Sequence, residues 1–369
     1  MILLKKIAII SWKSINQNVI ERNYIKSLKK EYKIYLLDIS FLLNFDTNSL
    51  IKKKIKNSKN LRIIKIKKFN DLVYDLNKIK PNIIIPYFLE NYSHQTKLIF
   101  SYLQGLNIPL MKIICNSFLF KIEYFRDRVK SFIFKKPINY QYIIHSSTQN
   151  FSHYYKSKNN IFSHHFDYET FLNIKNKKKT QKKSRRYALF LDENIVFHPD
   201  LILNKRKNWI KPKEYFNSMK KFFTFISNTF DLDVKIATHP TNFHNDFGVH
   251  KSYINNTAKL VSNAELVFLH QSTSLSFPIL SKKKILFLTS DQINKTNLKK
   301  SIYRLTKFFN KKPINVNKPY EKESIKKNII AYSNKYQEYK NLILKHEKSP
   351  NQNFIYIFKK FFAKKNLKL

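Results

Sequence analysis

Short apolar runs alternate with longer amphipathic stretches along the whole chain. In the first half, runs rich in Ile, Leu and Tyr predict strands at 6–11, 33–38, 61–66, 82–87 and 140–145. Between them, apolar residues recur at helical spacing, which predicts helices over 18–30, 70–79 and 94–104. Such alternation of strands and helices is typical of βαβ units that build a parallel sheet.

The alternation stops at 174–186, where IKNKKKTQKKSRR has a dense positive charge and no apolar face. Such a run is typical of a solvated linker. Beyond it the alternation resumes. Strands are predicted at 187–192, 233–238, 265–270 and 284–289. Helices are predicted over 212–229, 273–281 and 322–346, and a short helix is predicted to begin at Thr257.

This organisation predicts two α/β domains with a cleft between them. We assign the N-terminal domain to 1–173, the basic linker to 174–186 and the second domain to 187–335. A C-terminal helix and basic amphipathic tail then occupy 336–369. Because 353–369 combines Phe, Ile and Tyr with five lysines, we expect it to pack on the first domain near the inner-membrane surface.

Composition excludes several kinds of site. The only glycines among 369 residues are Gly105 and Gly248, so neither the dinucleotide motif G-x-G-x-x-G nor a P-loop can occur. A bound phosphate must therefore be held by side chains and helix N-termini. One cysteine, Cys115, excludes an intramolecular disulfide and a cysteine-based zinc site. We expect a cytoplasmic protein, because no signal-peptide pattern and no apolar run of ~18 residues is found.

The net charge of +46 is a weaker guide to function than its size suggests. Eight of the 70 basic residues are Arg, and Lys, Asn, Ile, Phe and Tyr are abundant together, as in proteins with A/T-rich coding sequences. A basic nucleic-acid-binding protein is nevertheless one alternative. The lysines are spread over the whole chain and no RNA-binding signature occurs, so we expect no specific nucleic-acid partner.

Three predicted strands of the second half end in polar residues. The strands at 187–192, 233–238 and 265–270 run respectively into Asp192-Glu193-Asn194, His239-Pro240 and His270-Gln271-Ser272-Thr273-Ser274. Parallel strands place their carboxyl ends at one edge of the sheet, where ligands bind in such folds. We therefore expect these residues to form one site.

Each candidate also has an ordinary structural role. Ser272 or Thr273 can cap the following helix, but three successive hydroxyls favour a bound phosphate. His239 is either a loop histidine or a donor to a phosphate, and Asp192 and Glu193 are either caps and ion pairs or general bases. Asp231-Leu232-Asp233 precedes a strand, so we interpret it as a turn and predict no metal site.

The order of these motifs resembles that of bacterial sialyltransferases and polysialyltransferases of the GT-B fold. These families have an acidic pair, then His-Pro, then Ser-Ser or Ser-Thr, and the counterparts here are Asp192-Glu193, His239-Pro240 and Ser272-Thr273. The segment HHFDYETFL at 164–172 also resembles the end of their first domain. The resemblance covers about 187–290 and implies two Rossmann-like domains facing across a cleft, with parallel sheets and C-terminal helices. It departs at Asn194, where the family has glycine and where Asn is the natural substitute in a left-handed turn.

The resemblance implies a metal-independent, inverting transfer from a CMP-activated acidic sugar to a surface-polysaccharide acceptor, which is a glycan or glycolipid. Asp192 or Glu193 would deprotonate the acceptor hydroxyl, and His239 would stabilise or protonate the departing phosphate. Nucleotide and phosphate contacts are assigned to His239, Pro240, His270, Ser272, Thr273 and Ser274, with no cofactor.

Several alternatives remain open at this point. Sialic acid, another nonulosonic acid and a Kdo-like sugar all present a carboxylate beside the anomeric carbon. A polyol-phosphate transferase or a UDP-sugar enzyme with the same fold is the second candidate function. The acceptor half of the site is expected in the first domain, where His145-Ser146-Ser147 ends a strand.

Overall fold

The computed structural model describes residues 5–44, 55–88, 93–115, 138–148, 155–176, 185–197, 210–239, 247–254 and 256–364. The chain divides into two compact units. The first unit contains 1–116, 123–169 and 345–369, and the second contains 117–122 and 170–344. The predicted linker at 174–186 lies mostly outside the described residues.

The first unit is built on parallel sheets. Its strands are β1 (Lys6–Ser11), β2 (Lys33–Asp38), β3 (Leu61–Lys65), β4 (Ile83–Tyr87), β5 (Met111–Ile114), β6 (Ile138–Asn139), β7 (Tyr142–His145), β8 (Tyr155–Lys156) and β9 (Asn159–Phe162). One sheet has the order β3-β2-β1-β4 and another has the order β5-β7-β9, while β6 pairs with β8. A parallel bridge between Ile84 and Leu110 connects the two larger sheets.

Helices cover both faces of these sheets. They are α1 (Gln17–Arg22), α2 (Ile25–Leu28), α3 (Phe69–Ile79), α4 (His94–Gly105) and α5 (Phe166–Lys175), which begins in the first unit and ends in the second. The side chains of each strand alternate between two buried clusters, so that Ile7 and Ile9 face one cluster and Ala8 and Ile10 face the other. Burial on both faces explains why these strands read as continuous apolar runs.

The second unit contains one six-stranded parallel sheet. Its strands are β10 (Tyr187–Leu191), β11 (Asp233–Thr238), β12 (Lys251–Ile254), β13 (Leu266–Leu269), β14 (Lys284–Thr289) and β15 (Ile314–Asn315), in the order β12-β11-β10-β13-β14-β15. The helices are α6 (Pro212–Phe230), α7 (Thr257–Asn263), α8 (Ser276–Leu280), α9 (Leu298–Phe308), α10 (Lys322–Asn328) and α11 (Asn334–Tyr339). A core rich in phenylalanine, including Phe190, Phe222 and Phe268, packs against the sheet.

Two predicted helices are wrong in extent. The helix predicted over 18–30 is two short helices, because Tyr24 adopts a left-handed conformation with φ of 52° between α1 and α2. The Tyr24 ring stacks on Phe354 and its hydroxyl donates to the backbone carbonyl of His164, so tertiary contacts hold the break. The helix predicted over 322–346 is interrupted where Ile330 exchanges two backbone hydrogen bonds with Ile285.

The C-terminal helix α12 (Phe354–Lys364) packs into the first unit. Phe354, Phe358 and Phe362 are buried in the same cluster as the strands, and Lys359 pairs with Glu31 at 3.2 Å. The apolar face that the sequence offers for a membrane is therefore occupied by the core. Within the described part of the chain, no helix is long and apolar enough to cross a membrane.

Candidate functional site

The carboxyl rim of the second sheet carries the residues that the sequence analysis selected. From β10 the chain passes to β11 and β12 on one side, and it then returns to β13 on the other side of β10. The strand order therefore reverses between β10 and β13. Open parallel sheets bind ligands in the crevice at such a reversal. Asp192 and Glu193 follow β10, and His270 follows β13.

The carboxylate of Asp192 joins the loops after β10 and β11. Its Oδ1 atom accepts a hydrogen bond from the backbone amide of Asn194 at 2.9 Å, and Oδ2 accepts one from the amide of His239 at 3.4 Å. Asn194 has a φ of 51°, so the predicted left-handed turn at this position is confirmed. Asp192 therefore fixes the shape of the rim, and its carboxylate is engaged by backbone donors.

Glu193 has a different environment from its neighbour. Its Oε1 atom accepts a hydrogen bond from the amide of His270 at 3.0 Å, whereas Oε2 is buried without a hydrogen-bond partner among the described residues. Burial raises the pKa of this carboxyl from 4.5 to about 8, the charge of Asp192 adds to the rise, and the amides of Gln271 and His270 oppose it. The side chain therefore holds a proton at neutral pH.

The ring of His270 is held inside the core. Its Nδ1 atom donates to the backbone carbonyl of Leu288 at 2.9 Å, and the hydroxyl of Tyr215 then donates to Nε2 at 3.0 Å. Burial lowers the pKa of His270 to about 4, so the ring is neutral. Both ring nitrogens are engaged by protein groups, and a phosphate contact predicted for this ring would require one of these bonds to break.

Hydroxyl groups begin the helix that follows β13. The Oγ atom of Ser272 accepts a hydrogen bond from the amide of Ser274 at 3.1 Å and caps a 3-10 turn at Thr273–Leu275, which continues into α8. Thr273 is exposed, and Ser272 and Ser274 are half-buried. The cap uses Ser272 as an acceptor, so its O–H group can still donate to a ligand.

Two further polar side chains of this rim matter: Gln271, which lies in a motif that the sequence analysis named, and Thr238, which that analysis missed. The hydroxyl of Thr238, the last residue of β11, and the side-chain oxygen of Gln271 are buried without a hydrogen-bond partner among the described residues. With Oε2 of Glu193, they give three unsatisfied polar atoms at one edge of the sheet. Such atoms cost about 1–3 kcal/mol each when nothing satisfies them. Thr238 ends β11 next to His239, and Gln271 follows β13 next to His270. The position of Thr238 beside a predicted motif is the sequence feature that could have identified it.

The remaining predicted residues fall in different places. His239 is half-buried directly after β11, and Pro240 lies outside the described residues. Asp231 and Asp233 lie at the opposite edge of the sheet, where Asp231 ends α6 in a left-handed conformation and Asp233 pairs with Arg185 at 3.4 Å. Their interpretation as a turn is therefore confirmed. The described residues contain no group of three or more His, Cys, Asp or Glu side chains that could hold a metal ion.

Comparisons with known proteins bear on the fold. No family model and no curated protein matches the sequence. The UDP-GlcNAc 2-epimerase from Methanocaldococcus jannaschii has 13% identity and a TM-score of 0.52, over 97% of this chain and 99% of that chain. The chain has a GT-B-type fold. The α/β class, parallel sheets and C-terminal helices predicted from the sequence are thus confirmed.

Two other solved structures are similar to this chain, with lower TM-scores. A UDP co-structure of MnaA from S. aureus has 11% identity and a TM-score of 0.49, over 99% of this chain and 98% of that chain. The wall teichoic acid polymerase TagF has 9% identity and a TM-score of 0.48, over 99% of this chain and 90% of that chain. At these identities the likeness concerns the fold.

Proposed function

We propose that the chain is an enzyme of glycosyltransferase type that uses a nucleotide-sugar donor. The observation that carries this proposal is the edge between β10 and β13, where a buried carboxyl with a raised pKa, a hydroxyl-rich helix start and a histidine lie at the reversal of strand order. The similar M. jannaschii protein is an epimerase of UDP-GlcNAc, which supports a nucleotide sugar as the ligand of this fold.

In the proposed reaction Glu193 is the group that transfers a proton, and Asp192 is a positioning residue. The two oxygens of Asp192 are occupied by backbone amides, whereas one oxygen of Glu193 has no donor among the described residues. An acceptor hydroxyl attacks the anomeric carbon, and its proton passes to the ionised Glu193 carboxylate. The bond between that carbon and the phosphate oxygen breaks, which leaves the charge on the departing nucleotide.

The departing phosphate is assigned to donors that follow β11 and β13, the two strands that flank β10. Ser272 and Thr273 would donate their hydroxyls to it at the start of the helix, and His239 would donate from the loop after β11. Charge is thereby stabilised by donors that the fold already orients, without a cofactor. His270 is proposed to act through its amide, which holds Glu193, and not through its ring.

Two donors fit this proposal, and each has a separate observation in its favour. The resemblance of the motif order from Asp192 to Thr273 to that of bacterial sialyltransferases favours a CMP-activated acidic sugar and transfer to a surface-polysaccharide acceptor. The likeness to the M. jannaschii UDP-GlcNAc 2-epimerase favours a UDP-sugar enzyme. A single phosphate can be held by the hydroxyls of Ser272 and Thr273, which supports the CMP candidate.

Calorimetric titration of the purified chain with CMP and with UDP tests both candidates. Tight binding of CMP that survives chelation of divalent metals would support the first, and preference for UDP would assign the second. The variant Glu193→Gln should bind the nucleotide and lose turnover, and Lys259→Gln, a surface change on α7, is the matched control. If neither nucleotide binds, the proposed function is wrong.

A further inference from the structure

A row of small polar residues ends the three-stranded sheet of the first unit. Ile114, His145 and Phe162 are partners in the register of β5, β7 and β9, and Cys115, Ser146 and Ser163 follow them directly. The backbone hydrogen bonds between the strands continue past their ends, since Ser146 N donates to Ile114 O at 3.1 Å and Ser163 N donates to His145 O at 2.8 Å.

The imidazole of His165, two residues beyond this row, is fixed in one tautomer. The carbonyl of His165 accepts the first backbone hydrogen bonds of α5, from Tyr168 and Glu169, and its Nδ1 atom accepts the amide of Asp167 at 3.2 Å. His165 is thus the N-cap of that helix. A neutral ring that accepts at Nδ1 must carry its proton at Nε2.

That Nε2–H donor has no acceptor among the described residues. Nε2 of His165 and Oγ of Ser163 are both buried without a hydrogen-bond partner, and the two residues are 3% and 0% exposed. Native proteins rarely leave such donors unsatisfied, because each costs about 1–3 kcal/mol. Ser163 follows the end of β9 and His165 caps the start of α5, so the two donors lie two residues apart in the connection between these elements.

The charged groups around this position include both signs. The Arg22 guanidinium lies 5.7 Å from the centre of the Phe166 ring, and its charge acts on Tyr87 and Cys115. Oδ2 of Asp167 lies 3.5 Å from Nδ1 of His165, on the capping side of the ring. The unsatisfied Nε2 is the other nitrogen of that ring.

We propose that this end of the first sheet binds an oxyanion, a carboxylate or a phosphate, through the Nε2–H of His165 and the hydroxyl of Ser163. The site belongs to the first unit and is assigned independently of the nucleotide contacts proposed for the second. A ligand oxygen accepts from both donors, while Arg22 supplies favourable charge. If the proposed function is correct, an acidic group of the acceptor would occupy this site.

Thermal denaturation of the full chain at constant ionic strength provides the test, with three probes added in turn. Inorganic phosphate represents a phosphate group, glucuronate represents a sugar carboxylate, and glucose is the neutral sugar. We expect phosphate or glucuronate to raise the Tm and glucose to leave it unchanged, and the more effective anion identifies the source. If neither anion raises the Tm, or if glucose raises it equally, the proposal is wrong.

Three variants separate this site from other anion sites. In His165→Asn the side-chain oxygen can still cap α5, but the Nε2 donor is lost, so the apparent affinity for the anion should fall at least tenfold. His94→Asn, an exposed position on α4, is the matched control and should keep the shift, as should Ser272→Ala in the second unit. An equal shift in His165→Asn and the wild type would overturn the proposal.

Ser163→Ala provides a readout that does not depend on the cap. Removing a hydroxyl that lacks a protein partner should leave the Tm of the free protein unchanged or higher, while the anion-induced shift is reduced. A Tm that falls clearly in the free Ser163→Ala protein would show that the hydroxyl has a partner within the fold, and the inference would then fail. Nucleotide binding measured on the same variants reports on the proposed function separately.

Discussion

Oε1 of Glu193 accepts a hydrogen bond from the backbone amide of His270 at 3.0 Å, across the reversal of strand order between β10 and β13. This bond orients a carboxyl whose other oxygen is buried and has no hydrogen-bond partner in the described part of the chain. Asp192, one residue earlier, is held by two amides instead. Two adjacent acidic residues therefore have different chemistry because the fold places them differently.

Activity should rise with pH if Glu193 accepts the proton of the acceptor. The base must be ionised, and burial raises its pKa to about 8, so kcat/KM should increase through an apparent pKa near 8 and level off above it. Glu193→Gln should lower kcat by about 10²–10⁴-fold and remove this pH dependence. A pH profile of the wild type and the variant checks both points, and an unchanged profile in the variant would contradict the assignment.

Stability should also depend on pH through Glu193 and His270. The pKa of Glu193 is raised from 4.5 to about 8 in the folded state, so its contribution to the free energy of unfolding falls as pH rises through that interval. Burial lowers the pKa of His270 from 6.5 to about 4, so its contribution falls as pH decreases below 6.5. The two slopes oppose each other between pH 4.5 and 6.5, and between 6.5 and 8 only Glu193 acts.

Urea unfolding between pH 6.5 and 8 isolates the Glu193 effect. Glu193→Gln should be more stable than the wild type at both pH values, and its advantage should grow by on the order of 2 kcal/mol between pH 6.5 and pH 8. Glu214→Gln is a suitable control, because Glu214 is exposed and pairs with Lys211 at 2.9 Å on the surface. A stability difference that does not vary with pH would show that Glu193 is ionised in the folded protein.

Substituting His239 or Ser272 by Ala should impair turnover without unfolding the protein. Both side chains are half-buried at the rim, and each is proposed to donate to the departing phosphate. Loss of one such donor lowers kcat by about 10²–10³-fold. Circular dichroism and steady-state kinetics on the same preparations check this expectation, and full activity in both variants would place the active site elsewhere.

The C-terminal helix should depend on Glu169 for its stability. Oε2 of Glu169 accepts the amide of Phe354 at 2.8 Å, and Oε1 accepts the hydroxyl of Ser27 at 2.9 Å, so this carboxylate joins α12 to α2. Glu169→Ala should lower the free energy of unfolding by about 1–3 kcal/mol, as measured in urea. Glu338→Ala, on the surface of α11, should change it by less than about 0.5 kcal/mol.

The aromatic residues of α12 should act on stability more than on membrane binding. Phe358 is fully buried and contacts the rings of Tyr32, Phe354 and Phe362. Phe358→Ala should lower the free energy of unfolding by about 3–5 kcal/mol, because it leaves a cavity. The alternative is that α12 binds lipid through its exposed residue Tyr356, and vesicle sedimentation checks it. In that case Tyr356→Ala will reduce lipid binding without loss of stability.

The sequence by itself determined most of the strands and the residues at the carboxyl rim. Apolar runs such as 33–38 and 284–289 match β2 and β14, because a strand buried on both faces requires continuous apolar residues. The resembled family has glycine where this chain has Asn194, which predicted a left-handed turn there, and the φ of 51° agrees. These features depend on local chemistry and spacing, which are visible in one dimension.

Tertiary structure decided where helices break and which side chains lack partners. The break at Tyr24 depends on contacts with His164 and Phe354, which lie far away along the chain. The different environments of Asp192 and Glu193, and the unsatisfied nitrogen of His165, likewise arise from burial and from distant backbone groups. Such effects are invisible in the sequence because desolvation and hydrogen-bond satisfaction depend on what the rest of the chain packs around each atom.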